Sequence, residues 1–251
     1  MPRFGDKIVF VDLFGGSGLL AHVTKCERPD ALVVYNDYDN YRERLENIPR
    51  TNALIADLRA IASNYEDKVR LPLPAESELL ERILQEERAG FVDYITLSAN
   101  LLFSGKTATT FAELKDLRPF YNKIRKSDYD VASNYLDGIE VVSCDYKELF
   151  ERFKDNPNVV FLVDPPYLST EVGSYTMSWK LADYLDVLLV LQESAYVYFT
   201  SNKSDIIELC EWIGTHKVRE NPFKDATRVD FRAGVNFNSR YTDIMLYRQT
   251  A

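Results

Sequence analysis

A short apolar run that ends in a cluster of glycines is the feature that most constrains the fold of this chain. Lys7–Leu13 (KIVFVDL) is rich in β-branched residues and predicts a buried strand, and Phe14–Gly18 (FGGSG) follows it directly. Ser17–Glu27 then predicts a helix, and Ala31–Asn36 (ALVVYN) predicts a second strand. A helix between two such strands implies a parallel sheet with right-handed crossovers.

This alternation stops after the second strand and resumes later. Residues 60 to 135 are polar and mostly helix-favouring, with no run that predicts a buried strand. Further strands are predicted at Gly138–Cys144, Asn158–Val163, Ala195–Thr200 and Tyr241–Tyr247, and further helices at Tyr146–Lys154, Lys180–Ser194 and Lys203–Ile213. We therefore expect a doubly wound α/β domain made of residues 1–60 and 136–251, with a mainly helical insertion at 61–135.

The composition fits a globular α/β chain. The 251 residues are 46% hydrophobic and 27% charged, which suits one large domain and excludes a disordered or fibrous chain. No apolar run reaches the roughly 18 residues of a membrane span, and the first residues lack a signal-peptide core. Cys26, Cys144 and Cys210 are scattered and odd in number, as reduced thiols are, so we expect a cytoplasmic location.

Two polar features follow predicted strands, where open α/β sheets bind their ligands. The glycine turn allows a close approach to the backbone, and the helix after it offers unpaired N–H groups to an anion. A tight turn without a ligand is the alternative, and the spacing is not that of a dinucleotide fingerprint. Asp37, which follows Asn36, can accept from ribose hydroxyls, or it can cap a helix, for which Asp39 is the better candidate.

The third feature is Asp164-Pro165-Pro166-Tyr167, directly after the strand NVVFLV. Two prolines end the strand and fix the backbone, and they bring no competing N–H group. Asp164 and a proline carbonyl therefore form two acceptors, which is what an exocyclic –NH2 group needs, and Tyr167 can stack on a base. The alternative is a Pro-Pro turn with a surface aspartate and tyrosine.

These motifs, in their order, resemble a known family. DLFGGSG, YNDYDN, SCDYKEL, DPPY and YFTSN together resemble the Dam-like adenine-N6 DNA methyltransferases, which use S-adenosylmethionine. The resemblance implies a Rossmann-like, mostly parallel sheet of seven strands, in which the 61–135 insertion is the target-recognition region for DNA. It also implies direct methyl transfer to a flipped-out base in double-stranded DNA, with S-adenosylhomocysteine as product and no metal.

The resemblance assigns roles to particular residues. Those expected to bind the cofactor are Asp12, Phe14, Gly15, Gly16, Gly18, Asp37 and Asp145. Those expected to hold the target adenine are Asp164, Pro165, Pro166 and Tyr167. Relatives carry a GGK-type motif before the glycine turn, but Lys7 lies too close to the first strand for us to assign it that role. Residues 168–179 are candidates for a lid over the base.

The net charge of −9 argues against a polyanionic partner, because basic charge drives phosphate binding. The charge is unevenly distributed, however. Acidic residues crowd one predicted helix, where we expect a solvated face: Glu76, Glu78, Glu81, Glu86 and Glu87. Basic residues crowd a segment that we expect to contact DNA phosphates, a plain solvated surface being the alternative: Lys115, Arg118, Lys123, Arg125 and Lys126. A second basic cluster is interleaved with acids: Lys217, Arg219, Lys224, Arg228 and Arg232.

Several alternatives stay open. The same chemistry suits adenine in RNA or N4 of cytosine, although cytosine-N4 enzymes more often have serine before the prolines. A non-catalytic relative that binds the cofactor or a partner is a third possibility. We expect a monomer without a membrane contact. The recognition sequence, and whether a separate restriction enzyme accompanies the chain in a restriction-modification pair, stay open.

Overall fold

The computed structural model describes residues 8–103, 105–166, 180–236 and 239–249. Within these ranges seven strands form one sheet. They are β1 (Val9–Asp12), β2 (Leu32–Asn36), β3 (Glu140–Val142), β4 (Val159–Val163), β5 (Ala195–Ser201), β6 (Thr227–Asn236) and β7 (Ser239–Arg248). The described helices are α1 (Leu19–Glu27), α2 (Tyr41–Glu46), α3 (Ile48–Ile61), α4 (Leu73–Ala89), α5 (Tyr94–Leu101), α6 (Phe111–Asp116), α7 (Tyr146–Phe153), α8 (Leu181–Glu193) and α9 (Ile206–Thr215).

The sheet has the order β3-β2-β1-β4-β5-β7-β6. Neighbouring strands from β3 to β5 are parallel, and β7 runs antiparallel to both β5 and β6. This confirms the expected doubly wound, mostly parallel α/β sheet. The chain leaves β1 in one direction along the sheet and returns to β4 on its other side, so a topological switch point lies between these two strands.

Both faces of the sheet are buried, which explains its apolar strands. On one face, Val11 and Phe161 belong to a large core that also contains Leu149 of α7 and Leu188 of α8. On the other face, Ala21 of α1 packs in a smaller core with residues of β2. Within the described residues, no helix is both long enough and apolar enough to span a membrane.

The chain divides into two compact units, Met1–Tyr41 with Tyr135–Ala251, and Arg42–Asn134. The second unit is helical and contains α3 to α6, but it begins before the expected boundary at residue 61. The reason is α3, whose Ile55 and Leu58 share a core with Leu79 and Ile83 of α4. Core membership, which the local sequence does not display, therefore assigns α3 to this unit.

Two charged segments differ from the sequence-based expectations. Glu76 of α4 is not part of a solvated face, because it is 2% exposed and accepts a hydrogen bond from Phe120 N at 2.9 Å. Arg228, in the second basic cluster, lies in β6, a strand that the sequence analysis did not predict. Its guanidinium pairs with Asp230 at 2.7 Å. Charged side chains are common on edge strands, where they prevent pairing with other chains.

Candidate functional site

The glycine turn, Phe14–Gly18, follows the carboxyl end of β1, next to the switch point between β1 and β4. Leu13 N donates to Leu162 O at 3.1 Å, which ties the start of the turn to β4. Gly16 and Gly18 have φ angles of +48° and +73°, and residues that carry a Cβ atom rarely adopt such angles. Helix α1 begins directly after Gly18, so its first N–H groups point toward this edge of the sheet.

Asp12, the last residue of β1, is a buried carboxylate whose oxygens are not satisfied by the described part of the chain. It is fully buried, and neither oxygen receives a hydrogen bond of normal geometry from the described residues. Burial, with a contribution from the charge of Asp164, raises its pKa to about 7, and the amides of Phe14 and Ala21 offset part of that rise. A buried ionised group without a partner is costly, so this position is suited to a cationic ligand group.

Asn36 joins three strand ends, a role that the sequence analysis missed. Its amide nitrogen donates to Leu13 O at 3.1 Å and to Cys144 O at 3.0 Å, and its oxygen accepts from Cys144 N at 3.1 Å. The side chain is 2% exposed. Asn36 therefore holds the turn after β1 and the segment after β3 against the end of β2. Its place at the end of an apolar strand was the only signal of this role in the sequence.

Asp37 follows β2 and is buried at the same edge. Its Oδ1 accepts from Tyr35 Oη at 3.0 Å and from Tyr41 N at 2.5 Å, and its own amide donates to Val142 O at 2.7 Å. Tyr41 is the first residue of α2, so Asp37 accepts from the first N–H group of this helix, which is the alternative role that the sequence allowed for it. The carboxylate is thus held in a fixed position beside the glycine turn.

Asp145 lies one strand further along the edge, after β3. It is exposed, and its Oδ1 caps α7 by accepting from Lys147 N at 2.8 Å. The ring of Tyr146 packs against that of Phe14, with 4.9 Å between the ring centroids. The segment after β3 therefore contacts the glycine turn through Tyr146, the residue that follows Asp145. Burial raises the pKa of the neighbouring Cys144 thiol, as is usual for a thiol in a core.

Asp164, Pro165 and Pro166 follow β4, beside the end of β1. The prolines are buried, whereas Asp164 is accessible to water. Protein atoms on its other sides nevertheless reduce its hydration, which, together with the charge of Asp243, raises its pKa to about 6. Asp12 lies opposite Leu162 in the register of β1 and β4, and Asp164 follows two residues later, so the two aspartates lie at adjacent strand ends at the switch point. Tyr167 and the expected lid, residues 168–179, lie outside the described residues.

The basic segment of the second unit is largely occupied by contacts within that unit. Lys123 donates to Leu102 O at 2.7 Å, and Lys126 pairs with Asp67 at 2.5 Å. The Arg125 guanidinium lies 4.4 Å from the ring centroid of Tyr129. Arg118 Nε donates to Lys115 O at 2.7 Å, and Lys115 forms no ion pair with any described residue.

The two histidines each lie near a backbone carbonyl. His22 Nδ1 is 2.7 Å from Tyr135 O, and His216 Nδ1 is 2.9 Å from Trp212 O. Both contacts anchor the ring to its own unit. Across the described part of the chain, no group of three or more His, Cys, Asp or Glu side chains is placed to bind a metal ion.

Comparison with known proteins shows a similarity that extends over nearly the whole chain. The chain is 35% identical over 252 residues to a protein of Haemophilus influenzae (strain Rd) that carries the name "Putative methyltransferase". The similarity covers 97% of this chain and 82% of that protein. No family model matches the chain.

Proposed function

The chain belongs to the methyltransferase family of this relative, and from that premise we propose that it transfers a methyl group from S-adenosylmethionine to N6 of adenine in double-stranded DNA. The observation that carries the proposal is the pair of neighbouring carboxylates at the switch point. Asp12 is buried beside the glycine turn and receives no hydrogen bond of normal geometry from the described residues, and Asp164 is accessible and followed by two prolines. One carboxylate suits a cofactor and the other suits an amine.

The residues at the edge of the sheet fit S-adenosylmethionine. Asp12 would accept a hydrogen bond from its α-ammonium group, a cationic partner that the described residues do not provide for this carboxylate. The turn and the N-terminus of α1 would bind its carboxylate. Asp37 would accept from the ribose hydroxyls, and Asp145 from the adenine amino group. When bound, the cofactor supplies a methyl group on a positively charged sulfur.

Asp164 would act on the target adenine. Its carboxylate and the carbonyl of Pro165 would accept the two N–H groups of the exocyclic amine, which directs the nitrogen lone pair toward the methyl group. The amine loses a proton in the reaction, and a carboxylate with a pKa of about 6 can accept it near neutral pH. An adenine inside a duplex cannot reach this edge of the sheet, so the base would be flipped out.

The second unit would contact the DNA backbone, as expected for its basic segment. Lys123 and Lys126 already have partners within that unit, as described above. Lys115 and Arg118, both exposed, are therefore the strongest candidates for phosphate contacts. The proposed DNA-binding surface is thus narrower than the full set of five basic residues.

The proposal is tested with labelled S-adenosylmethionine and unmethylated genomic DNA, followed by nucleoside analysis. We expect N6-methyladenine, and we expect Asp164→Ala to lower the rate by about a thousandfold, since the acceptor for the amine is lost. Glu220→Ala is the matched control, because Glu220 is an exposed carboxylate that pairs with Lys224 at 2.8 Å, and the variant should keep full activity. N4-methylcytosine, or product on RNA alone, would contradict the proposed substrate.

A further inference from the structure

Tyr35 lies beneath the glycine turn, and its ring explains part of the composition of the turn. The residue is completely buried. A Cβ atom at Gly15 would lie 2.1 Å from Tyr35 Cε2, and one at Gly18 would lie 3.4 Å from Tyr35 Cζ. No side chain can fit at the shorter distance, so the tyrosine ring requires glycine at position 15 whether or not a ligand is bound.

The hydroxyl of Tyr35 connects the turn to the acid after β2. Tyr35 Oη lies 2.8 Å from Gly16 O and 3.0 Å from Asp37 Oδ1. A phenol has one proton, so Tyr35 donates fully to only one of these acceptors at a time. The two acceptors are therefore linked, because a change at one of them alters how strongly the other is held.

We propose that Tyr35 is a positioning residue that couples the two ends of the cofactor site. The inference rests on the proposed function, which gives the methionine part to the glycine turn and the ribose to Asp37. Without a ligand, the hydroxyl of Tyr35 donates its hydrogen bond to the carboxylate of Asp37, because an ionised acceptor forms the stronger hydrogen bond. Once Asp37 accepts from ribose hydroxyls, the proton can turn to the carbonyl of Gly16 and hold the glycine turn.

Tyr35→Phe tests this coupling, because it keeps the ring and removes only the hydroxyl. The probes are S-adenosylhomocysteine, which reaches both ends of the site, and 5′-methylthioadenosine, which lacks the amino-acid part. By isothermal titration calorimetry we expect the affinity for S-adenosylhomocysteine to fall by up to about tenfold, as for the loss of one buried hydrogen bond to a backbone carbonyl. The affinity for 5′-methylthioadenosine should change by less than about threefold, because that ligand does not use the turn.

A matched control separates positioning from stability. Tyr196 is also completely buried in the first unit, and its hydroxyl donates to Pro222 O at 2.9 Å. Tyr196→Phe should lower the thermal stability about as much as Tyr35→Phe does, and it should leave the affinity for S-adenosylhomocysteine unchanged. A double variant with Asp37→Asn should lose less affinity than the product of the two single losses, because both changes break one linkage.

Some outcomes would overturn the inference. Unchanged affinity for S-adenosylhomocysteine in Tyr35→Phe, or an equal loss for both ligands, would show that the hydroxyl has only a structural role. If the unaltered chain does not bind S-adenosylhomocysteine, the proposed function fails and the role of Tyr35 fails with it. The assay measures cofactor binding and not transfer to DNA, so a wrong nucleic-acid substrate would not be mistaken for a wrong role of Tyr35.

Discussion

Three of the buried carboxylates, Asp12 in the first unit and Glu76 and Asp93 in the second, differ in how they are satisfied. Asp12, Glu76 and Asp93 are all 7% exposed or less. Glu76 accepts from Phe120 N at 2.9 Å. Asp93 caps α5 through Thr96 N at 2.9 Å and pairs with Arg44 at 3.0 Å. Asp12 receives no hydrogen bond of normal geometry from the described residues.

The difference shows what each carboxylate does for the molecule. In the second unit Glu76 and Asp93 hold helices and loops together, and their hydrogen bonds offset the free energy of desolvation within the fold. At Asp12 the fold instead maintains a carboxylate whose burial has a net free-energy cost, and a bound cation would offset that cost. A polar group that the fold leaves unsatisfied is therefore better evidence of a ligand than burial or an acidic side chain alone.

The largest effect that this comparison predicts is on the stability of the second unit. Asp93→Ala removes the buried ion pair with Arg44 and the cap of the first turn of α5, so we expect a loss of about 3 kcal/mol in the free energy of unfolding. Urea denaturation measures it. Affinity for S-adenosylhomocysteine, measured where the variant is folded, should not change. A loss of affinity would show that Asp93 also supports the cofactor site.

Asp12→Asn should have the opposite pattern. The change removes a charge but keeps the shape, so we expect the affinity for S-adenosylhomocysteine to fall about a hundredfold, or about 2.7 kcal/mol. The stability of the protein without ligand should stay the same or rise, because the costly buried charge is gone. Titration calorimetry and urea denaturation on the same samples give both values. A variant that is much less stable would mean that Asp12 is a structural residue like Asp93.

The pH dependence of stability sharpens the same contrast. The pKa of Asp12 rises from 3.8 to about 7 on folding, and that of Asp164 to about 6, so the folded chain retains protons that the unfolded chain has lost. This stabilisation is complete below about pH 4 and is lost as the pH rises through 7, with a slope of at most about 1.4 kcal/mol per pH unit for each group. Asp164 contributes less, because water reaches it.

Urea denaturation between pH 5 and 8 measures this slope. The ligand-free protein should be more stable at pH 5, and Asp12→Asn should show a flatter profile than the unaltered chain. On the proposed function, affinity for S-adenosylhomocysteine should rise over the same range, because Asp12 would bind the ammonium group of this ligand only when ionised. Parallel stability profiles for the two proteins would contradict the raised pKa of Asp12.

The features of the first unit that depend on local sequence pattern, its strands and the edge of the sheet where the site lies, could be predicted from the sequence. Apolar, β-branched runs identified β1, β2, β4 and β5, because strands buried on both faces need such residues. Glycine, aspartate and proline at strand ends located the edge where Asp12 and Asp164 meet. These signals are short-range, and they survive in the sequence without any knowledge of tertiary contacts.

What the sequence did not reveal depends on contacts between distant residues. Glu76 is buried because of Phe120, and no periodicity links these two positions. Gly15 is required by the ring of Tyr35, a contact that only the folded sheet creates. Strand β6 alternates charged with apolar residues, and from the sequence alone this pattern predicts a charged surface segment as readily as an edge strand. Tertiary context, not local propensity, decided each of these cases.

The smallest predicted effect concerns partnered and unpartnered cations in the second unit. Lys115→Glu with Arg118→Glu should lower the affinity for duplex DNA about tenfold and reduce the salt dependence by about two phosphate contacts. Lys126→Glu should have a smaller effect, because Asp67 already balances that charge. Fluorescence anisotropy over a range of salt concentrations measures both quantities. If Lys126→Glu lowers the affinity for DNA as much as the other two changes together, binding depends on the total charge of the segment. In that case the distinction between satisfied and unsatisfied groups holds for the buried carboxylates but not for the surface cations.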